Sequence, residues 1–169
     1  ATWPPRQQAG MTAFFSRIQY KPTIEWKEEI VCLNPVWVTG LATVFPDGAP
    51  ARVAPGQDPR RVFADWLITP TNKWFARAAV NRVWAWLLGR GIVHEPDDIR
   101  QDNPPANPEL LACLEREFAN ARYDLRKLYR LILNSRTYQQ SPIPQHDSPD
   151  AEALFAFYPV RRLDAEVLI

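Results

Sequence analysis

The run KWFARAAVNRVWAWLL, residues 73–88, sets two guanidinium groups and a carboxamide into an otherwise apolar stretch: Arg77, Asn81 and Arg82. At about 100° per residue, Arg77 and Asn81 share one wedge of a helix, and Arg82 falls beside Phe75. An unpaired buried guanidinium is costly, so these groups need partners. The nearest acids lie in the following loop, GRGIVHEPDDIRQDNPP, where Asp97 and Asp98 are the obvious candidates. Further on, Arg136 projects from an apolar face made of Leu125, Leu128, Tyr129, Ile132 and Leu133, and Arg161 and Arg162 precede the last helical segment. These residues predict a buried or half-buried polar network of arginines and aspartates. As chemistry, it is a pocket in which arginines hold a sulfate, phosphate or carboxylate. As architecture, it is a set of ion pairs that pins loop 89–105 to the helices, a common use of the Arg fork.

Other constellations are weaker. Glu95, Asp97, Asp98 and Asp102, with His94 beside them, offer oxygen ligands to a divalent ion, but they match no EF-hand spacing and the arginines compete for the same acids. Neither histidine has a Ser or Cys neighbour of the kind a triad needs. Trp66, Trp74, Trp84 and Trp86 could stack on sugar rings if exposed, although helical spacing favours core packing. Arg122, Arg126 and Arg130 stand at i, i+4 and i+8, a spacing that serves phosphate contact or an ordinary solvated face.

The elements that carry these residues are mostly helices. Residues 7–18 predict a short helix with Phe14, Phe15 and Ile18 as its stripe. Residues 24–33 read as a strand, and Pro46-Asp47-Gly48 is turn chemistry for a β-hairpin over 38–53. Asp58-Pro59 starts a helix with an N-cap and a Pro at its first position, and Pro70 stops it. Asn72 caps the 73–88 helix and Gly89 ends it. That helix is apolar nearly all round, the pattern of a buried central element. Asn107-Pro108 starts another helix, with Leu110, Leu111, Leu114 and Phe118 on one face, and Asp124 caps a helix of about 15 residues. A short helix is expected near 151–157 and another from Asp164-Ala165-Glu166. Ile169 stands barely one turn into the latter, so the chain is expected to be a piece of a longer protein. The expected fold is therefore mainly α: a helical bundle-like domain over 55–169, truncated at its C-terminus, behind an N-terminal helix and strand or β-hairpin extension over 1–54.

Composition narrows function by exclusion. With 169 residues, 46% hydrophobic content and seven Trp, the chain can bury a core without metal or disulfide. Twenty basic against nineteen acidic residues give a net charge of +1, which lends no support to nucleic-acid binding. No apolar run reaches the length of a membrane span. Cys32 and Cys113, the only two cysteines, form no CxxC or CxxCH, so a zinc ribbon or an attached c-type haem within this chain is excluded. Two free, half-buried thiols are expected, with Cys113 beside the apolar face of its helix.

Ordered blocks along the chain resemble a known family. They are Asp58-Pro59-Arg60, Asn72 to Trp84, Gly89 to Val93, Asp97 to Arg100, Asn103 to Leu111, Tyr123 to Arg126, Asn134 to Gln139 and Arg161 to Glu166. Together they are similar to the planctomycete cytochrome-associated C-terminal domain of unknown function, the PSD-type domain of large planctomycete and verrucomicrobial proteins. Arg122 departs from that pattern, where a Gly is common before the aromatic, and so does Asp164. The resemblance implies an exported multidomain parent with a related helical domain upstream, and a c-type cytochrome domain at its N-terminus as the place for any haem. It implies no activity. The expected role is a non-catalytic interaction or scaffold module whose partners are other domains of the same polypeptide. The alternative is part of an extracellular enzyme that acts on anionic or complex carbohydrate through an arginine-lined pocket.

Overall fold

A computed structural model describes residues 4–22, 29–34, 42–145 and 148–160. The chain divides into two compact units, Ala1–Thr69 and Pro70–Ile169. Among the described residues it is mainly α, with five helices and one two-stranded hairpin.

In the first unit, helix α1 (Pro5–Ala13) is followed by strands β1 (Ile18–Pro22) and β2 (Glu29–Leu33), which pair antiparallel with Ile18 opposite Leu33 and Tyr20 opposite Val31. The hairpin is thus displaced from the expected 38–53. Within the described part of that stretch, Pro46-Asp47-Gly48 does form a tight turn. Gly48 takes φ 88°, and the Ala49 N–H donates to Asp47 Oδ1 at 2.9 Å. Pairing there, among the described residues, is one bridge, Val44 with Pro50, flanked by the Phe45 N–H donating to Ala49 O and the Ala51 N–H to Thr43 O, both at 2.9 Å. Helix α1 also stops earlier than expected. Phe14 leaves it and is fully buried, stacked on Phe45 and packed on Phe63, while Phe45 stacks on Trp66 at 4.9 Å. Phe63 and Trp66 come from helix α2 (Pro59–Leu67), whose cap is the expected Asp58.

In the second unit, α3 (Lys73–Leu88), α4 (Pro108–Asn120) and α5 (Leu125–Leu133) pack on one another. Their start signals work as written: Asn72, Asn107 and Asp124 each accept a backbone N–H with the side chain, and Gly89 closes α3 in the left-handed region at φ 82°. Val80, Val83, Trp84 and Leu88 of α3 meet Leu111, Leu114 and Phe118 of α4 and Leu128 and Ile132 of α5, with Ile92 and Val93 filling in from the loop. Contrary to the all-round apolar pattern, α3 is not buried all round. Trp74, Ala78, Arg82 and Trp86, each four residues apart, form an exposed strip, because α4 and α5 cover only the opposite side.

Helix α5 has nine residues, not about 15. Asn134 Nδ2 donates to Arg130 O at 2.8 Å, and Ser135 Oγ donates to Ile132 O at 2.6 Å and accepts from the Tyr138 N–H. Short polar side chains here compete with the backbone and turn the chain. Residues 151–155 form turns in place of the expected short helix: Phe155 takes φ 54°, and the Ala156 N–H returns to Ala151 O. The helix expected from Asp164 lies outside the described residues.

Candidate functional site

The sequence places its densest chemistry on α3 and the loop after it, and Asn81 is the centre of that region. It is fully buried. Its Oδ1 accepts the Val93 N–H at 2.9 Å, and its Nδ2 donates to Val93 O at 3.1 Å and to Pro96 O at 3.3 Å. Every one of these partners is backbone. The loop is then closed on itself: the Ala106 N–H donates to Ile92 O at 2.7 Å, and Asn103 Nδ2 donates to both His94 O and Asp98 O at 2.8 Å. Gly91 passes so near Asn81 that an added Cβ would meet both amide heteroatoms at 3.0–3.1 Å and collide with the Val93 carbonyl. Glycine at this position is a requirement of the close approach.

The arginines divide between two partners. Arg82 pairs with Asp97, as the sequence predicts, but in the open: the side chains are 50% and 77% exposed. Arg77 turns away from the loop and donates through Nε to Glu115 Oε1 on α4 at 2.6 Å, a half-buried staple between two helices. Asp98 is held by Arg100 at 2.6 Å. Arg136 stands exposed in the turn after α5, apart from any apolar helix face, because the helix ends three residues before it. Arg162 lies outside the described residues. The structure thus brings Asn81, Arg82, Asp97 and Asp98 to one loop, gives Arg77 a different acid, and places Arg136 elsewhere.

Sequence reasoning passed over Glu115, Asn103 and Gly91. Glu115 was legible: it lies four residues after Leu111 and three before Phe118, both buried, so its stem runs along the α4 face that meets α3. The role of Asn103 is set by two backbone carbonyls, and no residue pattern marks such a contact.

The remaining candidates settle as follows. His94 is exposed at the surface, 3.6 Å from Glu95. Among the described residues no group of three His, Cys, Asp or Glu could hold a metal. Trp66 and Trp84 pack inward, while Trp74 and Trp86 are exposed. Cys32 and Cys113 are free. Cys113 is exposed, not half-buried, because it sits on α4 beside Ala112 and Arg116 on the outer face. Among the described residues, three buried donors, Asn72 Nδ2, Trp84 Nε1 and Arg90 Nε, have no hydrogen-bond partner. Among the described residues only Asp58 shows a clear displacement of a carboxyl: the hydrogen bonds from Arg60 hold it below the usual aspartate range.

No helix among the described residues is long and apolar enough to cross a membrane. No curated protein and no solved structure matches the chain. The model of the PSD1 family, described as a protein of unknown function (DUF1553), matches residues 59–169. The blocks read from the sequence, the caps that start α2, α3 and α4 and the Asn81-clamped loop all fall within or at the edge of that match, and the chain belongs to the PSD1 family.

Proposed function

We propose that this chain is a non-catalytic interaction or scaffold module of an exported multidomain protein, with other domains of the same polypeptide as its partners. The observation that carries the reading is the engagement of the polar residues on α3. Asn81 is committed to three loop backbone atoms, Arg77 to Glu115 and Arg82 to Asp97. Groups occupied in holding a loop and a helix pair are poorly placed to bind an external anion. Export follows from the family resemblance, and a c-type haem, where the parent has one, belongs to another domain.

The test uses the chain added in trans to its parent protein lacking this region, followed by calorimetry and gel filtration. A defined complex is the expected result; no association would overturn the reading. A second reading, part of an enzyme acting on anionic or complex carbohydrate, draws on Trp74 and Trp86, exposed on one strip of α3. Screening the chain against polysaccharides, sulfate esters and phosphate esters separates the two. Turnover lost in a folded Arg77→Ala variant would replace the module by the enzyme.

A further inference from the structure

The outer face of α5 sets three cations around an exposed leucine. Arg126, Lys127, Arg130, Leu131 and Asn134 project from one side of the helix and are exposed, Leu131 at 44%. None of the three cations has an ion-pair partner among the described residues, although the chain as a whole is nearly neutral, with 20 basic and 19 acidic residues. The carboxylates nearby are otherwise occupied. Asp124 caps α5 by accepting the N–H groups of Arg126 and Lys127, and Glu117 stands 3.9 Å from Arg116.

Two shallow hollows flank the ridge formed by Lys127 and Leu131. One, of about 310 Å3, lies toward the end of α4 and includes Glu117 and Ala121. The other, of about 490 Å3, is lined by Lys127, Arg130, Leu131, Asn134 and Ser135 and contains no carboxylate. An aliphatic side chain set among unpaired cations, with hollows on both sides, complements one kind of chemistry. A partner needs carboxylates for Lys127 and Arg130 and an apolar side chain to cover Leu131.

We infer that the α5 face docks an acidic polypeptide segment carrying an aliphatic anchor between carboxylates. The inference deepens the reading of the chain as an interaction module and rests on it. A purely anionic polymer would satisfy the cations and leave Leu131 in water, so apolar contact is what distinguishes a polypeptide partner. Charge complementarity sets encounter and orientation, and the covered leucine contributes a part of the affinity that salt does not screen.

The test titrates the full chain with a fluorescent glutamate-rich peptide bearing leucines at i, i+3 and i+4 spacing. Controls are a polyglutamate peptide without leucine, the same design with lysine for glutamate, and dextran sulfate. The Glu–Leu peptide is expected to bind, with affinity falling as salt rises. The double variant Lys127→Glu/Arg130→Glu should weaken it at least about tenfold, and Leu131→Ser should weaken it even at high salt. All three positions are exposed, so the variants fold, which circular dichroism checks. Failure of the peptide to bind, insensitivity to both variants, or equal binding of dextran sulfate with no effect of Leu131→Ser would each overturn the inference. If the chain still assembles with the remainder of its parent, the module reading survives that failure; if it does not assemble, both fall.

Discussion

At the scale of single residues, the second unit depends on Asn81 more than on its charges. Asn81→Leu leaves the Val93 N–H and carbonyl buried without partners, at a cost of about 3 kcal/mol. Urea unfolding should show that loss, and amide exchange should show Val93 opening first. Asn81→Asp should be no better, since a carboxylate would face the carbonyl oxygens of Val93 and Pro96. The arginines, by contrast, differ by position. Exposed pairs contribute about 0–1 kcal/mol, so Asp97→Ala and Arg82→Ala should melt close to the parent. Arg77→Ala, at a half-buried staple, should cost more; if Arg82→Ala proves the costlier of the two, the exposed pair has been misjudged. The sequence made these residues conspicuous because charge in an apolar helix is easy to see. It did not rank them. A carboxamide bonded to backbone leaves no partner residue to look for, whereas Asp97 and Asp98 advertise themselves.

At the scale of elements, the caps and the Gly89 stop of α3 were legible, and the end of α5 was not. A cap is a local act of one side chain on the next turn, so Asp58, Asn72, Asn107 and Asp124 could be read directly. The end of α5 depends on Ser135 and Asn134 bonding backward to carbonyls, and nothing in the apolar pattern announces it. The hairpin was misplaced because turn chemistry marks a reversal and not the length of the pairing: the turn at Asp47-Gly48 is real, but among the described residues it joins a single bridge, while the five-pair ladder is that of β1 and β2. Two predictions belong here. Asp58 lies below the usual aspartate range through its hydrogen bonds with Arg60, so its contribution is present above that range and disappears as pH falls through the lowered value. Asp58→Asn should keep the cap and abolish this part of the acid sensitivity, measured as melting temperature against pH. Arg122 occupies a left-handed conformation, φ 55°, just before Tyr123 at φ 59°, whose ring packs on Phe118 and Phe75. Arg122→Gly removes strain of about 1 kcal/mol and should raise the melting temperature. An unchanged or lower value would mean that the Arg122 side chain contributes more than its backbone costs.

At the scale of the whole molecule, the two units hold themselves together by different means. The first relies on stacked aromatic rings, Phe14, Phe45, Phe63 and Trp66, and the second on three helices and a clamped loop. The free thiols report on both. Titration of the native chain with an aromatic disulfide should release thiolate at Cys113 quickly and at the half-buried Cys32 more slowly, with no prior reduction; a chain that yields no free thiol would contradict the structure. The clamped loop has one more consequence. Asn81 reads Val93 and Pro96 through main-chain atoms alone, so the path of the loop is written in its peptide bonds and in Gly91. The outward side chains at His94 and Asp97 are therefore interchangeable decoration on a fixed track, whereas Glu95, at φ 56°, sits in the left-handed region that favours Gly and Asn. A library randomised at His94 and Asp97 should yield mostly folded members, which makes this loop a natural graft site for displaying foreign sequence on the chain.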